Sequence, residues 1–173
     1  LEGNVIAGVD LINGLGMAIG MQKEDVPGAT GDFNTDMNAK ARRALEVLEP
    51  GRLVYLHVEA TDEAGHDGDP NLKVQMIERF DREVVRPVRE ALEEQSFRVA
   101  LGPDHYTPCQ ERTHVDDPVP FLMVDGEGTT DLQFTEPEAE KAPLIDEGWT
   151  AMASWYAGKD HPFTLPAETA SPS

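Results

Sequence analysis

The chain has 173 residues, enough for one domain with a real core and too few for two large ones. Its 33 acidic and 14 basic residues give a formal net charge of −19, which would repel a phosphate backbone and sets a nucleic-acid partner aside. A hydrophobic content of 39% is ordinary for a globular protein, and no apolar run reaches the roughly 18 residues that a membrane span needs.

The first residue is Leu1, and no basic region with an apolar stretch follows it, so no signal peptide is expected. A start on Leu suggests a processed product or a fragment of something longer. The single cysteine, Cys109, cannot form an internal disulfide and fits a reducing, cytoplasmic setting. It reads as a partly buried thiol between Pro108 and Gln110, not as a nucleophile, although His105 and His114 are near in sequence.

Residues 4–9 form a short apolar run, expected as a buried strand. Residues 10–20 carry Gly14, Gly16 and Gly20, one residue too widely spaced for a dinucleotide fingerprint. A glycine-spaced helix or turn lying close against its neighbours is the expectation there. Residues 26–31 read as a loop from their Pro and Gly content. A helix over 35–48 follows from Met37, Ala41, Ala44, Leu45 and Leu48 on one face, capped by Asn34 or Thr35 and ended by Pro50 and Gly51.

Residues 53–58 read as a central strand, apolar on both faces, with His57 as a hydrogen-bonded core residue. An acidic loop is expected over 61–70. Asp67 and Asp69 lie in it without the alternation of a calcium-binding EF-hand, and read as charged surface. Residues 71–94 read as helical, with Met76, Ile77, Phe80, Val84, Val88 and Leu92 as the apolar stripe. Pro87 should kink that helix or open a new one.

Strands are expected over 97–101 and 119–124, and a short edge strand over 132–135. Thr135 and Glu138 have the spacing of a capping box opening a short helix. A last amphipathic helix is expected over 146–156, presenting Trp149 and Met152. Residues 158–173 are rich in Pro, Ser and Thr and read as a flexible tail after a domain over 1–157. Strands alternating with helices argue for an α/β protein whose sheet is parallel or mixed and covered on both sides. No internal repeat is present.

Five residues carry the chemistry: Asp62, His66, Asp104, His105 and His114. Asp62 and His66 are four apart, so on a helical turn they point the same way. Asp104 and His105 follow the Gly102-Pro103 turn at a strand end, where α/β proteins place ligands, and His114 arrives from the next loop. Any one of these is commonly a solvated loop residue. Two carboxylates and three imidazoles together suffice for most of the ligands of two divalent metals. Oxygen and nitrogen donors without thiolate suit manganese, zinc or iron better than calcium.

Six stretches resemble the archaeal-type cofactor-independent phosphoglycerate mutases of the alkaline phosphatase superfamily. They are residues 9–12 (Val-Asp-Leu-Ile), 26–31 (Val-Pro-Gly-Ala-Thr-Gly), 57–66 (His-Val-Glu-Ala-Thr-Asp-Glu-Ala-Gly-His), 103–105, 112–114 and 117–121. The resemblance runs from near residue 1 to about 157. It implies a partial three-layer αβα sandwich of the alkaline phosphatase-like type, with a mostly parallel sheet. It also implies one metal on Asp62, His66 and His114 and a second on Asp104 and His105, manganese first, with zinc, cobalt or magnesium as alternatives. The remaining ligand aspartate and the nucleophilic serine of such enzymes lie upstream of the matching region, as does a second domain.

This chain thus resembles the C-terminal part of an enzyme interconverting 3-phosphoglycerate and 2-phosphoglycerate through a phosphoserine, in glycolysis and gluconeogenesis. By itself it is expected to be inactive. The competing expectations are another enzyme of the superfamily (phosphopentomutase, phosphodiesterase or phosphonate hydrolase) or a non-catalytic metal-binding domain. Asn13 stands where the family has a lysine, and Thr61 and Tyr106 stand where it has prolines. A fold without half its sheet exposes apolar edges, which favours a homo-oligomer.

Overall fold

In a computed structural model, residues 2–93, 98–124, 134–145 and 148 are described. The expected helix over 146–156, apart from Gly148, and the tail over 158–173 lie outside them. So do Leu132 and Gln133 of the expected edge strand, while Phe134 and Thr135 form a bend.

The chain opens with β1 (Gly3–Ile6), every residue of which is buried. After it come α1 (Asp10–Ala18), β2 (Gln22–Lys23), α2 (Met37–Val47) and β3 (Leu53–Leu56). The three strands form a parallel sheet in the order β2-β1-β3, with Asn4 opposite Gln22 and Val54. The strand at the centre is therefore β1, expected as a buried strand, while β3, expected to be central, lies at the edge among the described residues. The longer apolar run of β3 suggested burial that its half-buried residues do not have. The two-residue β2 is too short to leave a periodic signal.

With parallel strands in this order, crossovers of the usual right hand would place α1 and α2 on opposite faces. Burial of all four β1 residues agrees with cover on both sides. Gly16 makes the α1 contact close: a Cβ there would sit 2.7 Å from Val5 Cγ1. The glycine-spaced segment is thus a helix pressed onto the sheet.

The cap of α2 is Asp36, whose carboxylate accepts from the Ala39 N–H at 2.8 Å, and not Asn34 or Thr35. Thr35 is fully buried, and its hydroxyl accepts from the Thr30 N–H at 3.1 Å, so it fastens the 26–31 loop instead. The expected acidic loop is mostly helix: α3 spans Ala60–Asp67. Buried Ala60 and Ala64 drive it, Asp62 and Glu63 suit the positive end of its dipole, and Gly68 ends it at φ 72°. Asp69 then caps α4 (Pro70–Phe80) through the N–H groups of Asn71 and Leu72, both at 3.0 Å.

Between α4 and α5 (Arg86–Leu92) the helix widens into a π turn over Asp81–Val85. Pro87 supplies the reason, because its ring crowds the carbonyl four residues back and has no N–H to donate. The Arg86 N–H accordingly bonds to the Asp81 carbonyl, five residues earlier. The helix bulges instead of breaking. Met76, Val84 and Leu92 of the expected stripe are buried, whereas Ile77 is 52% exposed, turned off the line that Met76, Phe80 and Val84 share.

The core joins Met37 and Ala41 of α2 to Ala60, Met76 and Val84, with Phe33, Leu56, Val58, Phe80 and Val88 around them. Arg79 crosses from α4 to donate to the Phe33 and Thr35 carbonyls at 2.7 and 2.8 Å. A separate antiparallel pair, β4 (Val99–Leu101) and β5 (Leu122–Val124), matches Ala100 with Met123. The short helix α6 (Glu136–Ala139) begins where expected, but the Thr135 side chain makes no capping bond. Among the described residues no helix is long and apolar enough to cross a membrane.

At the carboxyl ends of β1 and β3 lies a buried ion pair. Lys40 is 0% exposed, and its ammonium donates to Glu59 Oε2 at 3.1 Å, to the His57 carbonyl at 3.0 Å and to the Thr30 carbonyl at 3.3 Å. Glu59 Oε1 accepts from the Gly8 N–H at 3.0 Å. Lys40→Met would leave the Glu59 charge buried without its partner, a loss of about 3–5 kcal/mol. Urea unfolding of that variant should show the loss; a midpoint equal to the wild type would mean that water reaches Glu59.

Candidate metal centre

Glu59 ends the excursion from β3 and starts α3, which puts Asp62 in the first turn and His66 one turn on, on the same side. Asp62 Oδ2 lies 3.4 Å from His66 Nε2. From β4 the chain turns through Gly102 and Pro103 to Asp104 and His105. An antiparallel bridge between Tyr106 and Val115 then folds the next loop back on itself. That bridge returns His114 to His105, with the rings stacked at a centroid distance of 3.6 Å.

The three segments meet. His114 Nε2 is 3.1 Å from His66 Nε2 and 3.5 Å from Asp62 Oδ1. Asp62, His105 and His114 each bring one donor atom within 4.8 Å of the others. Asp104 reaches the group through His105, its Oδ2 lying 3.5 Å from His105 Nε2. All five residues singled out in the sequence thus share one cluster. His57 does not join it; its ring stacks on Tyr55, centroids 6.1 Å apart.

The proton positions follow from the partners. His66 Nδ1 lies 3.0 Å from the Arg112 carbonyl, which can only accept, so neutral His66 carries its hydrogen on Nδ1. Its Nε2 lone pair then faces His114 and Asp62. Arg112 presents that carbonyl from a left-handed φ of 54°, uncommon without glycine, in a turn where the Glu111 and Arg112 N–H groups both donate to the Pro108 carbonyl. Converging lone pairs of this kind form a donor set that a divalent cation fits.

Negative charge dominates the surroundings. Burial raises the Tyr55 phenol above its ordinary value, and the carboxylates of Asp104 and Glu59 raise it further. Tyr106 is raised by burial and by Glu136, Asp117 and Glu140. Such a field favours a cation and opposes an anion that arrives without one.

Sequence reasoning missed Thr107. It is 2% exposed, and its hydroxyl bonds to Asp62 Oδ1 and lies 3.2 Å from His105 Nδ1. Lys73 donates to its carbonyl at 2.6 Å. Gly65 lets the loop approach α3, since a Cβ there would overlap the Thr107 carbonyl and lie 2.9 Å from its Cβ. A threonine between a tyrosine and a proline carries no mark of this role; its only signal is its place two residues after His105. Cys109 is partly buried, its thiol 3.8 Å from the Ala64 carbonyl, in agreement with the sequence expectation.

Comparison with known proteins identifies the class first: residues 1–150 match the Metalloenzyme superfamily, and the chain belongs to it. More particularly, it is similar to 2,3-bisphosphoglycerate-independent phosphoglycerate mutases. That of Methanothrix thermoacetophila is 52% identical over 125 residues, which are 71% of this chain and 32% of the relative. A probable enzyme of the same name from Geobacter sulfurreducens is 43% identical over 157 residues, 88% of this chain and 39% of the relative. The chain therefore spans about a third of the length of these relatives. The structure of the PH0037 protein from Pyrococcus horikoshii superposes with a TM-score of 0.78 at 36% identity, over 95% of this chain and 44% of that one. The α/β, alkaline phosphatase-like fold expected from the sequence is confirmed.

Replacing Gly by Ala inside a helix normally stabilises by about 0.5–1 kcal/mol. Gly65→Ala should do the opposite here, destabilising by about 1–3 kcal/mol because the methyl group must push the Thr107 loop away. Chemical denaturation reads the sign directly, and a stabilised variant would show that the loop yields freely.

Proposed function

We propose that this chain supplies most of a two-metal phosphoryl-transfer site, and that the whole protein is a phosphoglycerate mutase acting on 3- and 2-phosphoglycerate. The single observation that carries this reading is the meeting of Asp62, His66 and His114 from two distant segments, with His66 Nε2 and His114 Nε2 3.1 Å apart. The names of the relatives supply the substrate class.

In this reading Asp62 Oδ2, His66 Nε2 and His114 Nε2 hold one cation, and Asp104 and His105 contribute two donors to the other. Manganese is our choice from the mixed oxygen and nitrogen donors. Bound there, the cations would lower the pKa of an attacking hydroxyl and neutralise charge on the transferring phosphoryl oxygens. The chain's own residues orient and hold. The Arg112 carbonyl fixes the His66 ring, the ion pair of Lys40 and Glu59 fixes the start of α3, and the acidic surroundings keep an anionic substrate out until cations are in place. The nucleophilic serine and the remaining ligand would come from a part of the polypeptide that precedes this region in the relatives. The isolated chain then binds metal without turnover. A glycolytic, cytoplasmic setting is part of the same proposal.

Calorimetric titration of the 173-residue chain with manganese should show binding that Asp62→Ala and His114→Ala weaken by more than the about 10- to 100-fold typical of losing an outer contact. Unchanged affinity in both variants would remove the metal assignment. Mutase turnover by this chain alone would overturn the claim that the nucleophile lies elsewhere.

A further inference from the structure

We infer that Thr107 is a positioning residue that ties the two halves of the site together and sets the tautomer of His105. This inference rests on the metal reading for its consequence, though not for its geometry. The hydroxyl has a single hydrogen to give and lone pairs to accept with. Its closer partner is Asp62 Oδ1, a carboxylate oxygen that accepts, so the hydrogen goes there. What remains toward His105 Nδ1, at 3.2 Å, is a lone pair. Neutral His105 must therefore carry its hydrogen on Nδ1, because the other tautomer would set two lone pairs face to face in a buried place. Asp62 Oδ1, 3.9 Å from the same nitrogen, favours the same choice, while Asp104 Oδ2, 3.5 Å from Nε2, favours the other, so the hydroxyl decides between them.

The consequence is chemical. With Nδ1 engaged, His105 Nε2 keeps its lone pair on the side of Asp104 Oδ2, 3.5 Å away, where the proposed second cation would be held. One buried hydroxyl thus aims Asp62 of the first half-site and His105 of the second. Its own place is fixed from two helices, by Lys73 of α4 on its carbonyl and by Gly65 of α3 beneath it. A threonine oriented in this way couples the two sites without touching a metal.

The test is histidine-edited NMR on the nitrogen-15-labelled full chain without metal, with His105→Gln identifying the resonance. Wild type should show His105 protonated on Nδ1. Thr107→Val, which keeps the shape and loses the hydroxyl, should lose that preference, and Thr107→Ser should restore it. In a parallel manganese titration Thr107→Val should bind about 10- to 100-fold more weakly, with Thr107→Ser within about threefold of wild type. Circular dichroism with the same melting profile for Val and Ser variants separates positioning from folding, and a Val variant that does not fold leaves the wild-type tautomer to decide. A wild-type His105 protonated on Nε2 would overturn the inference. So would a folded Thr107→Val variant with wild-type tautomer, or one that loses the tautomer yet binds manganese as wild type does. Failure of the unmodified chain to bind manganese would refute the metal reading, while the tautomer, measured without metal, would still decide the role of Thr107.

Discussion

The pairing of Lys40 with Glu59 is the constraint on which the site rests. A fully buried ammonium is tolerated only when its hydrogens are used and its charge is answered. Here all three hydrogens of Lys40 find acceptors: the carboxylate of Glu59 and the carbonyls of His57 and Thr30. The other oxygen of Glu59 takes the Gly8 N–H beyond the end of β1. Four segments are thereby fastened at one point: the exit of β1, the 26–31 loop, α2 and the exit of β3. The first turn of α3 starts at that point, and Asp62 stands three residues along it. An apolar pair could fill the same space. It could not dictate which way the Glu59 backbone enters the helix.

From this anchor the rest of the centre is reached by backbone geometry. α3 projects Asp62 and His66 from one face, and Gly65, one turn from Asp62, admits the Thr107 loop beside them. The Tyr106–Val115 bridge closes that loop so that His114 stacks on His105. The acidity of the chain acquires a local meaning here. A net charge of −19 makes the approach of a phosphorylated anion unfavourable, and cations in the cluster would reverse the sign where it matters. The same field that discourages nucleic acid would draw divalent metal.

The five candidate residues were legible because chemistry restricts them. Asp-x-x-x-His, Asp-His and a third histidine at loop positions leave few other reasons to occur together, and all five fall in one cluster. The helices around α2 and α4 were legible from period, since their buried faces include Met37, Ala41 and Ala44 or Met76 and Val84. What escaped was whatever depends on a partner distant in sequence. The α3 segment looked like a loop because its acidic residues outweigh two alanines whose burial only the sheet reveals. β1 was legible as a buried strand, but not its central place or the role of Gly3, which lets β3 approach with Leu53 directly against it. Lys40 carries no mark of its burial in the sequence. Thr107 looked like nothing in particular. Only the fold shows that each faces a group awaiting it.

The most direct measurement is anomalous diffraction at the manganese edge from crystals of this chain grown with the metal. The account predicts a peak between Asp62, His66 and His114, at about 2.0–2.2 Å from the carboxylate oxygen and the two Nε2 atoms, a range usual for divalent first-row metals. A second, weaker peak beside Asp104 and His105 would agree with the smaller number of donors there. A manganese peak elsewhere on the acidic surface, with those three side chains bare, would contradict it.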